Sequence, residues 1–244
     1  MKNKKKALVL LSGGLDSSLA AWLIKEQGMK LKALVFESVF FEPDKGIRAA
    51  NQLDIPYEVI DISERLIDIV KNPNHGYGSG ANPCLDCHLI MLGKAKEIMD
   101  KENWDFVVTG EVLGQRTFSQ KKQSMDLLAK QSGLEDKLVR PLSAKKLDPT
   151  TPEKKNWLER EKLLGITGRG RKEQMELAEK INLSYPQPAG GCMLTERGFA
   201  NKIFDLKKHF PDFDINDAQL LKVGRHFWQG DRLVIIGKDE DENE

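Results

Sequence analysis

Cysteine is scarce in this chain: Cys84, Cys87 and Cys192 are the only three among 244 residues. So few, and odd in number, they exclude the disulfide framework that staples small exported domains, and they raise metal binding or catalysis instead. Long apolar runs are also missing. Nothing approaches the ~20 consecutive residues of a membrane-spanning helix, which removes a membrane partner. The basic start, Met1 to Lys6, leads into an apolar stretch that Ser12-Gly13-Gly14 interrupts at once, and it lacks a cleavage pattern. A cytoplasmic protein is expected. Neither sign of charge dominates, with 38 Lys+Arg against 37 Asp+Glu, so the net +1 says nothing about partners by itself. Its distribution says more, because Asp239 to Glu244 is almost wholly acidic and masks basic pairs in the middle third.

What is present is an alternating pattern. An apolar strand over Ala7 to Leu11 runs into a Gly-rich turn and then into Leu19, Ala20, Leu23 and Ile24, spaced as one helix face. Leu31 to Phe36 and Tyr57 to Ile60 read as further strands, and Asp44 to Leu53 as a helix capped by Asp44. A helix through Leu66, Ile67 and Val70 precedes a polar stretch, Asn72 to Pro83, which reads as a mobile loop. Leu85 to Met99 then predicts a helix, and Phe106 to Val108 a fourth strand ending at Thr109-Gly110. Such alternation specifies an α/β fold, a doubly wound parallel sheet with helices on both faces.

Beyond Gly110 the pattern weakens. Helices are expected near Gln120 to Lys130, Lys172 to Ile181 and Phe199 to Phe210, with a Pro/Gly turn cluster at Pro186 to Gly191 and a last strand at Leu233 to Ile236. The predicted division is a nucleotide-binding domain over 1–140, a smaller and mainly helical region over 141–237 that completes the site and binds RNA, and an acidic tail over 238–244.

The most informative string is Ser12-Gly13-Gly14-Leu15-Asp16-Ser17-Ser18 between the first strand and its helix. Two glycines let backbone approach an anion, and hydroxyls with free N–H groups at a helix N-terminus hold it. It is neither the lysine-ended phosphate loop nor the G-x-G-x-x-G dinucleotide fingerprint. The bland alternative is a Gly-Gly turn with Ser17 as helix cap. The string resembles the loop of the PP-loop ATP pyrophosphatases, of adenine nucleotide alpha hydrolase-like fold. That resemblance implies ATP and Mg2+ as cofactors, with Ser12, Gly13, Gly14, Asp16, Ser17 and Ser18 around the departing pyrophosphate and Asp16 partnering magnesium or nucleotide. Ligands of open α/β sheets lie beyond the carboxyl ends of the strands, which makes the backbone at Phe36-Glu37 and Thr109-Gly110-Glu111 the candidate reader of base and ribose, Phe36 and Gly110 above all.

Cys84 and Cys87 stand at C-x-x-C spacing where a loop enters a helix, a setting that lowers thiol pKa. Cys84-Leu85-Asp86-Cys87-His88 also satisfies the c-type haem string, but that chemistry belongs to exported proteins. Zinc on three thiolates and His88 is a minority reading, since adjacent Cys87 and His88 seldom face one ion. Inert buried thiols are the plainest reading.

Together with the phosphate loop, Asn82-Pro83-Cys84-Leu85-Asp86-Cys87 and Gly191-Cys192 resemble the tRNA thiolation branch of the superfamily, especially the tRNA 2-thiouridylases. By that resemblance Cys87 and Cys192 act together in sulfur transfer, with Asp16, Cys87 and Cys192 catalytic. Cys84, where many relatives carry aspartate, makes a third thiolate, as in related thiolases whose three cysteines hold a [4Fe-4S] cluster. Three thiolates leave one iron open to carry hydrosulfide. Persulfide chemistry without a metal is the alternative. The implied partners are tRNA and a sulfur donor, either hydrosulfide or a persulfide carrier, with a homodimer among the oligomeric options. Arg116, Lys121, Lys122, Arg169, Arg171 and Lys172 are candidate contacts to the RNA backbone.

The expected reaction is attack of a uridine carbonyl oxygen on the alpha phosphate of ATP, followed by displacement of AMP by sulfur. Rival readings are thiolation of a small cofactor precursor, amidation, and a non-catalytic nucleotide or RNA-binding module. The strings Gly110 to Gln120 and Leu220 to Phe227 resemble a less characterised thiouridylase-like group, which leaves the modified position open.

Overall fold

A computed structural model of the chain describes residues 4–187, 191–230 and 232–240. Parts of three expectations lie outside these residues: 1–3 of the basic start, 188–190 of the Pro/Gly cluster and 241–244 of the acidic tail.

The elements follow the alternation. They are β1 (Lys6–Leu10), α1 (Leu15–Glu26), β2 (Lys30–Glu37), α2 (Asp44–Gln52), β3 (Tyr57–Asp61), α3 (Ser63–Lys71), α4 (Cys84–Lys101), β4 (Phe106–Val108), α5 (Lys122–Gln131) and β5 (Leu138–Val139). After them come α6 (Thr151–Lys154), α7 (Lys172–Lys180), α8 (Arg197–His209), α9 (Ile215–Leu220), β6 (Arg225–Gln229) and β7 (Arg232–Ile236). Pro43, not Asp44, holds the cap position of α2, and Asp44 lies in the first turn. There its charge still complements the helix dipole.

The first five strands form one parallel sheet in the order β3-β2-β1-β4-β5. Ala7 pairs with Leu31 of β2 on one side and Phe106 of β4 on the other. Ala7, Leu8 and Val9 are completely buried. Burial on both faces is why β1 reads as an unbroken apolar run. Strand order reverses at β1, so the loop after β1 and the end of β4 flank the switch point, where such sheets bind ligands.

Two compact units divide the chain. The first comprises Met1–Phe36, Glu42–Asp61 and His88–Ala189, and the second Glu37–Phe41, Ile62–Cys87 and Gly190–Glu244. This contact division does not fall at residue 141. Leu142, Ala144, Leu158, Leu163, Ile166 and Ala178 share one buried cluster with Val9, Leu19 and Val139, and they belong to the first unit.

The second unit contains α3, α8, α9 and the antiparallel hairpin β6–β7, with Phe40 set edge-on to Phe199 at 6.0 Å between ring centroids. The Asn72 to Pro83 stretch forms no helix or strand but is tied down. Tyr77 Oη donates to Val70 O at 2.6 Å, Ala81 N to Leu194 O at 2.9 Å, and His75 N to the Asp86 carboxylate at 3.0 Å.

Candidate functional site

The loop after β1 is shaped by close backbone packing. Gly13 has φ +74°, and a Cβ there would lie 2.0 Å from the Lys45 carbonyl oxygen. Across the same contact, a Cβ on Gly46 would lie 2.6 Å from Leu11 O. Only glycine permits this approach at a positive φ. Gly14 takes the cap position of α1, and no side chain caps the helix there. The Ser17 hydroxyl bonds to Gly14 O at 3.1 Å and lies 3.1 Å from the Ser12 hydroxyl, while Ser18 Oγ is buried with no hydrogen-bond partner. An uncapped helix start with hydroxyls beside it suits an anion.

Asp16, in the first turn of α1, is held from outside the loop. Its Oδ2 accepts from Gln115 Nε2 at 2.6 Å and its Oδ1 from Gln174 Nε2 at 3.5 Å, while Gln174 Nε2 also donates to Gln115 Oε1 at 3.0 Å. Sequence reasoning gave neither glutamine a role, because they stand 99 and 158 residues from Asp16, and the Gly110 to Gln120 string that contains Gln115 does not point to Asp16.

At the end of β4, Gly110 abuts the same loop: a Cβ there would lie 2.5 Å from Ser17 N and Ser17 Cα. Its lack of a side chain thus serves the approach of β4 to α1. Phe36 is buried at the end of β2.

Next to Gly110, Glu111 is buried and its Oε2 accepts from Arg140 Nε at 2.8 Å and from Thr109 Oγ1 at 3.0 Å. Burial pushes this carboxyl up, but the Arg140 charge and hydrogen bond, with His88 nearby, outweigh it and hold it down at about 2. His88 Nδ1 lies 3.5 Å from Glu111 Oε1, which has no hydrogen-bond partner, so Arg140 is the firmer partner.

All three cysteines belong to the second unit, and all are thiols rather than disulfides. Cys84 opens α4, Cys87 is buried one turn on, and Cys192 precedes a short 3-10 turn at Met193–Thr195. Burial raises the Cys87 thiol strongly, helped by the neighbouring Cys192, Cys84 and Asp86. Burial likewise dominates at Cys192, which is pushed up to about 12 although a backbone bond at Leu194 lowers it and Cys84 and Glu196 add to the rise. The lowered pKa expected of a C-x-x-C pair at a helix start is therefore not found for Cys87, because desolvation outweighs the helix dipole. Among the described residues, no group of three or more His, Cys, Asp or Glu is gathered to hold a metal ion. As a donor set, three thiols suit a soft cation, whose binding would displace their protons.

The six basic candidates all fall in the first unit. Arg116, Lys121, Lys122, Arg169 and Lys172 are exposed and Arg171 is half-buried. Lys122 pairs with Asp148 at 3.2 Å and Asp126 at 3.5 Å, and Lys172 lies 3.9 Å from Glu176. Among the described residues, no helix is long and apolar enough to cross a membrane.

Against known proteins, the family model described as thiamine biosynthesis protein (ThiI) matches residues 2–148. A tRNA-specific 2-thiouridylase, MnmA 2 of Fusobacterium nucleatum, is 35% identical over 114 residues, covering 43% of this chain and 33% of that protein. The tRNA-specific 2-thiouridylase MnmA of Petrotoga mobilis is 33% identical over 135 residues, covering 46% and 36%. The chain thus spans about a third of the length of these curated relatives. A crystal structure of a predicted subunit of tRNA methyltransferase from Methanocaldococcus jannaschii aligns with a TM-score of 0.47 at 17% identity, covering 72% of this chain and 76% of that one, and nothing further follows from it. With more than half of its length matched, and with the Ser12 to Ser18 loop seated after the central strand of the sheet, the chain belongs to the thiamine biosynthesis protein (ThiI) family, within the tRNA-thiolation branch of the PP-loop ATP pyrophosphatases.

Proposed function

We propose that the chain is an ATP-dependent tRNA sulfurtransferase acting in the cytoplasm. The observation that carries this reading is the uncapped start of α1 at Gly14, walled by the Ser12 and Ser17 hydroxyls beside the end of β4. Backbone amides there would stabilise charge on the departing pyrophosphate, the contribution expected to be largest in a preorganised site. Asp16 would hold magnesium, which when bound supplies charge neutralisation between the phosphates. A uridine carbonyl oxygen attacks the alpha phosphate, pyrophosphate leaves, and sulfur then displaces AMP from the adenylated base.

The sulfur step is assigned to the three thiols. Cys84, Cys87 and Cys192 would hold a [4Fe-4S] cluster, which when bound offers an open iron for hydrosulfide. Burial raises the Cys87 and Cys192 thiols, so at neutral pH each would have to lose its proton to bind iron, a loss that a bound cation promotes. Arg116, Lys121, Lys122, Arg169, Arg171 and Lys172 are the proposed contacts to the tRNA backbone, and the C-terminal region over 141–237 is proposed to help complete the site.

The test is nucleoside mass spectrometry of tRNA from cells with and without the gene, paired with assay of AMP and pyrophosphate release. A thionucleoside missing without the gene and tRNA-stimulated pyrophosphate release are expected. An unchanged nucleoside profile, with release stimulated only by small molecules, would redirect the reading to a cofactor precursor. Anaerobic protein that thiolates RNA without iron or sulfide would replace the cluster by persulfide chemistry.

A further inference from the structure

Gln174 is completely buried on α7, and its Oε1 has no hydrogen-bond partner. An orphaned buried amide oxygen costs about 1–3 kcal/mol, and a methionine or leucine would fill the same space without that cost. The other end of the amide explains its presence: Nε2 reaches Gln115 Oε1 at 3.0 Å and Asp16 Oδ1 at 3.5 Å, while Gln115 Nε2 reaches Asp16 Oδ2 at 2.6 Å. Two side-chain amides therefore grip the two oxygens of one carboxylate. The gripping segments are themselves fixed within the first unit, where Gly168 N donates to Leu113 O at 2.8 Å and α7 packs on α1.

The chemistry of the grip matters as much as its geometry. An ionised carboxylate offers about four lone-pair positions, and the amides engage one on each oxygen, leaving the others available. Both donors are neutral. An arginine or lysine in their place would cancel the charge of Asp16, as Arg140 does for Glu111. The amides fix the direction of the carboxylate and leave its charge intact, as a ligand for a divalent cation requires.

We infer that Gln115 and Gln174 are positioning residues that aim the Asp16 carboxylate for the magnesium of a bound nucleoside triphosphate. This rests on the ATP reading given above. Gln115 lies within the residues matched by the family model, 2–148, and Gln174 beyond them.

The test is calorimetric binding of α,β-methylene-ATP to the full chain, with magnesium and with EDTA, for wild type, Q174M, Q115M, D16N and D16N/Q174M. With magnesium, Q174M and Q115M are each expected to weaken binding roughly tenfold, as loss of an outer-shell partner does. With EDTA they should match wild type, and in the D16N background Q174M should change affinity less than about twofold, because residues acting through one group are not additive. Gln115 lies in a loop, so Q115M carries the same prediction should Q174M fail to fold. Equal weakening with and without magnesium, or in both backgrounds, would show that the glutamines only pack and would overturn the inference alone. Wild-type protein that binds no nucleotide would remove the ATP reading and this inference with it.

Discussion

In the first unit, Asp16, Gln115 and Gln174 meet at hydrogen-bonding distances beside an uncapped helix, whereas in the second unit burial raises the thiol pKa of Cys87 and Cys192, with Cys84 adding to both shifts. One region offers backbone and amide donors already oriented toward an anion. The other holds groups that burial keeps neutral and that only a cation or a chemical modification would make reactive. The contrast teaches that within one chain phosphate recognition and sulfur chemistry rest on different physics, the first on preorganised dipoles and the second on desolvated thiols.

The sharpest way to break the first side is G13A. A Cβ 2.0 Å from Lys45 O at a φ of +74° cannot be relieved by a side-chain rotation, and a loss on the order of 4 kcal/mol or more is expected in urea unfolding. The neighbouring G14A has Ser12 Oγ at 3.7 Å as its nearest atom and a φ of −78°, so its stability should change by under about 1 kcal/mol.

R140M should come next, at about 3–5 kcal/mol, because it leaves the buried Glu111 carboxylate without its main partner. The same pair sets a pH dependence. The folded pKa of Glu111 is depressed from 4.5 to about 2, so its stabilisation is fully present above 4.5 and is lost as pH falls through that window toward 2. Wild-type protein should lose this contribution between those values in denaturant titrations, and R140M should show a flatter acid limb.

On the second side, metal-free Cys192, with its thiol pushed up to about 12, should alkylate at pH 8 more than tenfold slower than a peptide thiol of pKa ~8.5. Iodoacetamide labelling followed by mass spectrometry reads this directly, and fast labelling would sink the desolvated-thiol account. The smallest effect belongs to K122A, whose exposed pairs with Asp126 and Asp148 should contribute under about 0.5 kcal/mol in thermal unfolding.

Much of the sheet was legible because β1, β2 and β4 are largely buried on both faces and glycines punctuate the loops beside them. Ala7 to Leu11, Leu31 to Phe36 and Phe106 to Val108 fall within one residue of their observed bounds at every end. β5 escaped notice, for Leu138–Val139 is too short to show a period and its place is decided by pairing with β4. β6 was missed because Arg225, His226 and Gln229 give Arg225–Gln229 a polar composition, and α9 because six residues are under two turns. The phosphate loop and the three cysteines were visible as strings. Their surroundings were not: the amides on Asp16 and the Arg140 partner of Glu111 come from segments far along the chain, and burial, which sets the thiol pKa values, has no local signature.

The interlocked backbones at Gly13, Gly46 and Gly110 carry one more consequence. A turn wedged against both α2 and the end of β4 has few alternative shapes, so its amides are aimed before any guest arrives. Little ordering entropy then remains to be lost on complex formation, and affinity at this turn should reflect contacts made rather than freedom surrendered.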